Sequence, residues 1–184
     1  MEKNLGVYIH IPFCAGKCAY CDFYSLAGHE KLMPAYQHAI LYHIKEYTPQ
    51  LDGYLTDTVY FGGGTPSSYC SDRLIIIFNA LKKSGHVLLD GEVTAEVNPD
   101  SITKADLVRM YRAGFNRLSI GVQSANDALL KSLGRRHDFA ATEEAVRNAK
   151  EAGFKNIRID LIYGMPSQSR DKWADTLNKA EALK

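Results

Sequence analysis

The sequence has no excess of charge of either sign. Lysine and arginine number 22 against 21 aspartate and glutamate residues, so the formal net charge at pH 7 is +1. A nucleic-acid surface and a polybasic membrane anchor both need clustered positive charge, so the composition favours neither partner. Hydrophobic residues make up 46% of the chain and charged residues 23%, which is ordinary for a globular protein and argues against disorder.

Long apolar runs and targeting signals are also missing. No run approaches the roughly 18 residues that a membrane span needs. Residues 1–4 lead directly into an apolar segment, without the charged and hydrophobic regions of a secretory signal. We therefore expect no transmembrane segment and a cytoplasmic location. Low-complexity segments and proline- or serine-rich linkers are absent too, which predicts one domain over residues 1–184.

Cysteine is scarce and unevenly placed. Of the four cysteines, Cys14, Cys18 and Cys21 follow one another in a C-x3-C-x2-C spacing. Such close neighbours make strained disulfide partners, so in a reducing compartment the spacing indicates metal ligation. Three thiolates in one loop suit a 4Fe-4S cluster with one open iron. The alternative is structural zinc, which normally takes four protein ligands, but His10 and His29 lie outside the usual spacings.

Short apolar segments alternate with amphipathic ones along the chain. Segments rich in β-branched residues predict strands over residues 5–11, 58–61, 93–97, 117–122 and 156–162. Helical spacing predicts helices over residues 34–47, 74–81, 103–113 and 172–183, with a broken helical region over 128–150. Ser71 or Asp72 is expected to cap the second helix, and Gly114 to end the third. Strand, loop and helix repeated in this way indicate parallel βαβ units with right-handed crossovers.

Polar residues and glycines follow the predicted strands at corresponding positions. The cysteine loop follows the first strand and a glycine turn follows the second, while single polar residues mark the ends of the next three. Beyond the cysteines, these landmarks are Gly62, Gly63, Gly64, Thr65, Glu96, Gln123 and Asp160. Because parallel strands in a barrel or partial barrel end at the same edge, we expect these residues to gather around one mouth.

Taken one at a time, these residues are weak evidence for a functional site. Three glycines are more often a tight turn than a binding site, and a lone polar residue such as Arg135 is more often on the surface. Glu96 and Asp160 are stronger evidence, since each lies in an otherwise apolar strand, where burying an acid costs free energy unless the acid is paired. Cys70 stands apart from the other cysteines and is expected to be a small packing residue.

Together the motifs resemble the radical S-adenosylmethionine (radical SAM) superfamily. Its members open on C-x3-C-x2-C with an aromatic residue before the third cysteine, here Tyr20. Within it, the chain is similar to the oxygen-independent coproporphyrinogen III oxidase-like group. The matching segments, in order, are YIHIPFC at 8–14, FGGGTP at 61–66, EVNP at 96–99, GVQS at 121–124 and IDLIYGMP at 159–166. The resemblance implies an α/β fold, a partial (β/α)6 barrel of which about five βα units are present here.

The resemblance also implies the cofactors. Cys14, Cys18 and Cys21 are then the ligands of a 4Fe-4S cluster whose open iron chelates S-adenosylmethionine, which is cleaved reductively to methionine and a 5′-deoxyadenosyl radical. The residues at cofactor-binding positions are Tyr8, Tyr20, Cys21, Asp22, Gly63, Gly64, Thr65, Glu96, Gln123, Arg135 and Asp160. Tyr8 suits a cation–π contact with the sulfonium, and Arg135 suits a carboxylate partner. No further residue is assigned a catalytic role.

One departure separates two branches of the group. The coproporphyrinogen oxidases have a further cysteine two residues after the third ligand, and here that residue is Phe23. This pattern is typical of the HemW-type haem chaperone branch, whose members bind haem and deliver it to target proteins. We therefore expect a haem chaperone with haem-accepting client proteins. The alternative, an oxygen-independent coproporphyrinogen III oxidase acting on a porphyrinogen, leaves enzymatic activity open. None of the six histidines has a spacing that identifies an axial haem ligand.

The length of the chain also departs from the family. Family members resemble a partial barrel of six βα units followed by a carboxyl-terminal region, whereas this chain supplies five strands and then a helix. The sequence therefore predicts that residues 1–184 are an incomplete radical SAM core domain, without the sixth strand and the carboxyl-terminal region. The edge of the sheet where a sixth strand belongs is expected to be open.

Overall fold

The computed structural model describes residues 3–184. Its strands are β1 (Lys3–Ile11), β2 (Phe13–Cys14), β3 (Leu26–Ala27), β4 (Tyr54–Gly63), β5 (Val87–Val97), β6 (Arg117–Gln123) and β7 (Asn156–Leu161). Its α-helices are α1 (Met33–Tyr47), α2 (Ser71–Lys83), α3 (Lys104–Ala113), α4 (Asp127–Ser132), α5 (Phe139–Ala152) and α6 (Arg170–Ala182). Across this part of the chain, none of the helices combines the length and the apolar character that crossing a membrane requires.

Five strands form one parallel sheet in the order β1-β4-β5-β6-β7. Within this sheet, each of the five strands pairs with the one that follows it in chain order. All five run in the same direction, so their carboxyl ends lie along the same edge. The predicted α/β class is confirmed. The short strands β2 and β3 pair with each other at the base of the cysteine loop.

The core lies between the sheet and the helices that pack on it. Phe115 is fully buried, and its ring centroid lies 5.2 Å from that of Phe61 on β4 and 5.3 Å from that of Phe78 on α2. The buried apolar residues of α2 recur at helical spacing, at Leu74, Ile77, Phe78 and Leu81. This periodicity gives α2 one apolar face, which it buries against the sheet.

The predicted end of the third helix is confirmed, while the predicted N-cap of the second helix is wrong. Gly114 follows α3 with a φ of 110°, in the left-handed region that favours glycine. Before α2, however, the N-cap residue is Cys70, and no side chain caps the helix. Ser71 and Asp72 lie inside its first turn, where Ser71 donates instead to Asp106 Oδ1 of α3 at 2.6 Å.

Two further expectations are corrected. β4 and β5 begin earlier than predicted; their register shifts between Thr56 and Thr58, which interrupts the alternation of buried residues that the prediction uses. Within β1 only Ile9 and Ile11 are buried, because β1 lies at the edge of the sheet and pairs only with β4. Cys70 is exposed rather than packed, since it precedes α2 outside the core.

Replacing Phe115 by alanine tests the core. We expect Phe115→Ala to lower the free energy of unfolding by about 3–5 kcal/mol, because it leaves a cavity between β4 and α2. Urea denaturation followed by circular dichroism measures the change. The control is Tyr42→Ala, whose side chain on α1 is 61% exposed; a surface substitution of this kind changes stability by under about 0.5 kcal/mol. Equal losses in both variants would contradict the packing described.

Candidate functional site

A cavity of about 520 Å³ opens at the carboxyl-end edge of the sheet. The predicted site residues that line it are Cys14, Cys18, Tyr20, Cys21, Gly63, Gly64, Thr65, Glu96, Gln123, Arg135 and Asp160. Two others lie outside the lining. Asp22 is exposed beyond the third cysteine, and the ring of Tyr8, on β1, stacks at 6.1 Å on that of Tyr60, which does line the cavity.

The cysteine loop is closed by backbone hydrogen bonds. Cys21 N–H donates to Cys18 O at 3.1 Å, and Ala19 N–H donates to Leu133 O at 3.2 Å, which ties the loop to the end of α4. All three loop cysteines are half-buried free thiols. Within residues 3–184, no three histidine, cysteine or acidic side chains are arranged to hold a single metal ion. Because each thiolate of a 4Fe-4S cluster binds a different iron, three thiols placed around a cavity suit a cluster better.

The glycine turn lies directly against the chain that enters this loop. Gly64 N–H donates to Ile11 O at 2.8 Å. A Cβ atom at position 64 would lie 2.7 Å from Pro12 O, so the turn needs glycine to approach this closely. The approach places the Thr65 hydroxyl 3.4 Å from Cys14 Sγ.

A chain of polar contacts runs from Arg135 to Cys14. Arg135 Nη2 donates to Asn98 Oδ1 at 2.7 Å, and Asn98 Nδ2 donates to Thr65 Oγ1 at 3.2 Å. The Thr65 hydroxyl in turn lies within hydrogen-bond distance of the Cys14 thiol, and either group can be the donor. Arg135 Nη1 also lies 3.9 Å from Cys18 Sγ. Polar groups therefore face two of the three loop sulfurs.

Arg135 is held by the backbone as well as by Asn98. Its Nη2 also donates to Gly121 O at 2.8 Å. A Cβ atom at Gly121 would lie 3.0 Å from Asn98 Oδ1, so glycine makes room for this contact. Arg135 Nε is buried and has no hydrogen-bond partner among the described residues. A bound ligand with an acceptor oxygen would satisfy that donor.

Glu96 has a partner for each carboxylate oxygen. Oε1 accepts from the Tyr60 hydroxyl at 2.8 Å, and Oε2 accepts from Gly63 N–H at 3.1 Å. Burial raises the pKa of Glu96 and outweighs the opposite effect of those two hydrogen bonds. Burial and the hydrogen bond to Glu96 raise the pKa of Tyr60 to about 12, so Tyr60 keeps its proton and remains a donor at neutral pH.

Asp160 and Gln123 also line the cavity, from β7 and from the end of β6. Asp160 accepts from the Ser119 hydroxyl at 2.7 Å and pairs with Arg158 Nε at 3.0 Å. Glu96 and Asp160 therefore both have the partners that an acid in an apolar strand requires. Gln123 ends β6 with a φ of 67°, a left-handed conformation that is costly for a residue other than glycine.

Sequence reasoning misses several residues of this cavity: Tyr60, Asn98, Ser119 and Arg158. Two of them had a usable signal. Tyr60 alternates with Phe61 along β4, so it faces away from the core, and Asn98 belongs to the EVNP segment, in which only Glu96 is assigned a role. Ser119 had none, because its contact with Asp160 depends on the pairing of β6 with β7. Arg158 lies two residues before Asp160 on β7 and shares its face of the sheet, but a lone arginine on a strand carries no signal of its own.

His137 is a buried histidine close to Arg135. Its Nε2 lies 3.4 Å from Val122 O, and because a carbonyl only accepts, that nitrogen carries the proton. Its Nδ1 is buried without a partner among the described residues. Burial, and then the positive charge of Arg135, hold the pKa of His137 below its ordinary value of 6.5.

The lowered pKa of His137 predicts a pH dependence of stability. The unfolded chain takes up a proton more readily than the folded one, so the free energy of unfolding should fall as the pH drops below 6.5. His137→Gln keeps a donor for Val122 O but does not titrate, so its stability should fall less between about pH 7.5 and about pH 5.5, on either side of the ordinary histidine pKa. Urea denaturation measures both slopes, with His38→Gln on the exposed surface of α1 as the control. Identical slopes in the wild type and His137→Gln would contradict the prediction.

Comparison with known proteins agrees with this geometry. The family model of the radical SAM superfamily matches residues 8–180. The heme chaperone HemW of Lactococcus lactis subsp. lactis is 33% identical, over 100% of this chain and 48% of its own length. The oxygen-independent coproporphyrinogen-III oxidase-like protein HemZ of Bacillus subtilis is 32% identical, over 100% of this chain and 38% of its own length. The chain thus spans about half the length, or less, of these curated relatives.

A solved structure agrees with the fold. The coproporphyrinogen III oxidase HemN of Escherichia coli, described as a radical SAM enzyme, superposes with a TM-score of 0.92 at 31% identity. The match covers 100% of this chain and 42% of HemN, which confirms the predicted partial barrel. The family implies a 4Fe-4S cluster and S-adenosylmethionine as cofactors. With both the sequence match and the fold in agreement, the chain belongs to the radical SAM superfamily.

Proposed function

We propose that this chain is the core domain of a haem chaperone that holds a 4Fe-4S cluster and S-adenosylmethionine. The observation that carries the proposal is the cysteine loop at the mouth of the cavity. It offers three half-buried thiols and, two residues after the third, Phe23 in place of the further cysteine of the coproporphyrinogen oxidases. Similarity to proteins named heme chaperone HemW, at 33% identity over the whole chain, supports it.

The cluster ligands in this proposal are Cys14, Cys18 and Cys21. The loop fits a cluster, because the Arg135 guanidinium donates to the sulfur of Cys18 and the Thr65 hydroxyl lies beside that of Cys14. With three thiolates, one iron is left for S-adenosylmethionine. When bound, the cluster supplies the electron that cleaves S-adenosylmethionine to a 5′-deoxyadenosyl radical.

The walls of the cavity supply the contacts to S-adenosylmethionine. The backbone of Gly63 and Gly64 permits close approach of the ligand, and the buried Nε–H of Arg135 suits its carboxylate. Glu96 and Asp160 suit hydroxyl or ammonium groups, since a carboxylate accepts several hydrogen bonds. The remaining predicted contacts in this proposal are Tyr8, Tyr20, Asp22, Thr65 and Gln123.

Phe23 favours haem delivery over oxidase chemistry. It lines the cavity, its side chain is 71% exposed, and it carries no sulfur to ligate iron. An exposed aromatic ring at this mouth suits stacking against a flat, apolar macrocycle such as haem. The partners in this proposal are haem and a haem-accepting client protein.

Removing the three loop thiols tests the cluster. Anaerobic reconstitution of the wild type should give about four irons per chain, as expected for a 4Fe-4S cluster. The triple variant Cys14→Ser, Cys18→Ser, Cys21→Ser should bind almost none, because serine is a poor iron ligand. Cys70→Ser should load as the wild type does, since Cys70 is exposed and is not among the residues that line the main cavity. Full iron loading in the triple variant would contradict the proposal.

A second function, coproporphyrinogen oxidation, is favoured by one observation, the similarity to HemN and HemZ. The two functions give different products. We expect the reconstituted protein to bind haem in an absorbance titration and to leave coproporphyrinogen III unchanged when S-adenosylmethionine and a reductant are present, as chromatography would show. Conversion of coproporphyrinogen III to protoporphyrinogen would overturn the chaperone proposal in favour of the oxidase.

A further inference from the structure

His10 lies between two parts of the site that the proposed function requires together. It is on β1, and both of its ring nitrogens make hydrogen bonds. Nδ1 lies 3.0 Å from the Tyr8 hydroxyl and Nε2 lies 3.1 Å from Tyr24 O. Tyr8 is a predicted S-adenosylmethionine contact whose ring stacks on that of Tyr60 in the cavity wall, while Tyr24 follows the cysteine loop.

The two partners determine the tautomer of His10. Tyr24 O is a carbonyl and only accepts, so Nε2 carries the proton. In the tautomer with its proton on Nε2, Nδ1 is the acceptor and the Tyr8 hydroxyl donates to it. Because both nitrogens are engaged, the ring connects two segments of the chain and has no lone pair left for a metal.

The glycine turn confines the His10 ring. A Cβ atom at position 63 would lie 2.7 Å from both Cε1 and Nδ1 of His10, so the ring packs closely against the backbone of Gly63. Gly63 N–H in turn donates to Glu96. The position of His10 is therefore linked to Tyr8, to the glycine turn and, through that turn, to Glu96.

Polar contacts position the segment after the third cysteine. Lys17 Nζ donates to Phe23 O at 2.7 Å and to Ser25 Oγ at 3.1 Å, and His10 donates to Tyr24 O. The side chains of Phe23 and Tyr24 are nevertheless 71% and 70% exposed. Hydrogen bonds to the backbone, rather than burial of these two rings, thus hold this end of the loop.

We propose that His10 is a positioning residue that couples the cysteine loop to Tyr8, whose ring stacks on Tyr60 in the cavity wall. Its imidazole fixes the orientation of the Tyr8 ring, so that a bound S-adenosylmethionine would meet this ring in one geometry. This inference rests on the proposed binding of S-adenosylmethionine. His10 itself is not among the residues that line the cavity.

Three substitutions of His10 in the full chain test the coupling. His10→Ala removes both hydrogen bonds, whereas His10→Asn keeps an acceptor near the Nδ1 position and His10→Gln keeps a donor near the Nε2 position. After anaerobic reconstitution, the iron content and the melting temperature of each variant are measured. The affinity for S-adenosylmethionine is then measured by calorimetric titration without reductant. His38→Ala, on the exposed surface of α1, is the control.

We expect His10→Ala to load iron as the wild type does, because the three thiols are intact, and to bind S-adenosylmethionine about tenfold more weakly. His10→Asn or His10→Gln should restore part of that affinity. In a Tyr8→Phe background, which already lacks the Tyr8 hydroxyl, His10→Ala should have a smaller effect, since interacting residues are not additive. The control should match the wild type.

The possible failures are distinguishable. A wild type that loads iron without binding S-adenosylmethionine would overturn the proposed function and this inference together. Wild-type binding with unchanged affinity in His10→Ala would overturn this inference alone. So would a loss of iron and of thermal stability in His10→Ala that neither His10→Asn nor His10→Gln corrects, because it would show a merely structural role.

Discussion

The steric fit between the glycine turn and the chain entering the cysteine loop determines the rest of the site. Parallel pairing sets Ile11 opposite Gly63, and at Gly64 a single methyl group would collide with Pro12 O. Because no side chain separates the two backbones, Thr65 reaches the sulfur of Cys14. The polar contacts that continue to Arg135 all start from that approach. The cavity is therefore organised by a position that tolerates no side chain, rather than by one strong bond.

The architecture could be predicted because its signals are local. Short β-branched segments stopped by glycine or proline gave all five strands of the sheet and their parallel arrangement, and left-handed Gly114 ended α3 as expected. Errors arose where local signals were interrupted or overridden. The irregular pairing near Thr56 hid the first halves of β4 and β5. Similarly, Ser71 resembles a helix cap in sequence but uses its hydroxyl on α3 instead.

The site was partly predictable for the same reason. Cysteine spacing and the family motifs indicate which side chains belong together, but not how each one is held. Ser119 shows the limit: it lies opposite Glu96 in the register of β5 and β6, yet it donates to the other acid, Asp160 on β7. Such a choice depends on side-chain direction and on strand twist, which no single stretch of sequence encodes.

The strand order has a consequence for how the site assembles. Each strand pairs with its neighbour along the chain, so the sheet can grow by successive additions during synthesis. The cysteine loop and the glycine turn meet as soon as β4 joins β1. The guanidinium beside Cys18, however, comes from Arg135, 117 residues later. The thiols are thus made early but acquire their polar surroundings only after β6 has joined the sheet and the chain has continued to Arg135.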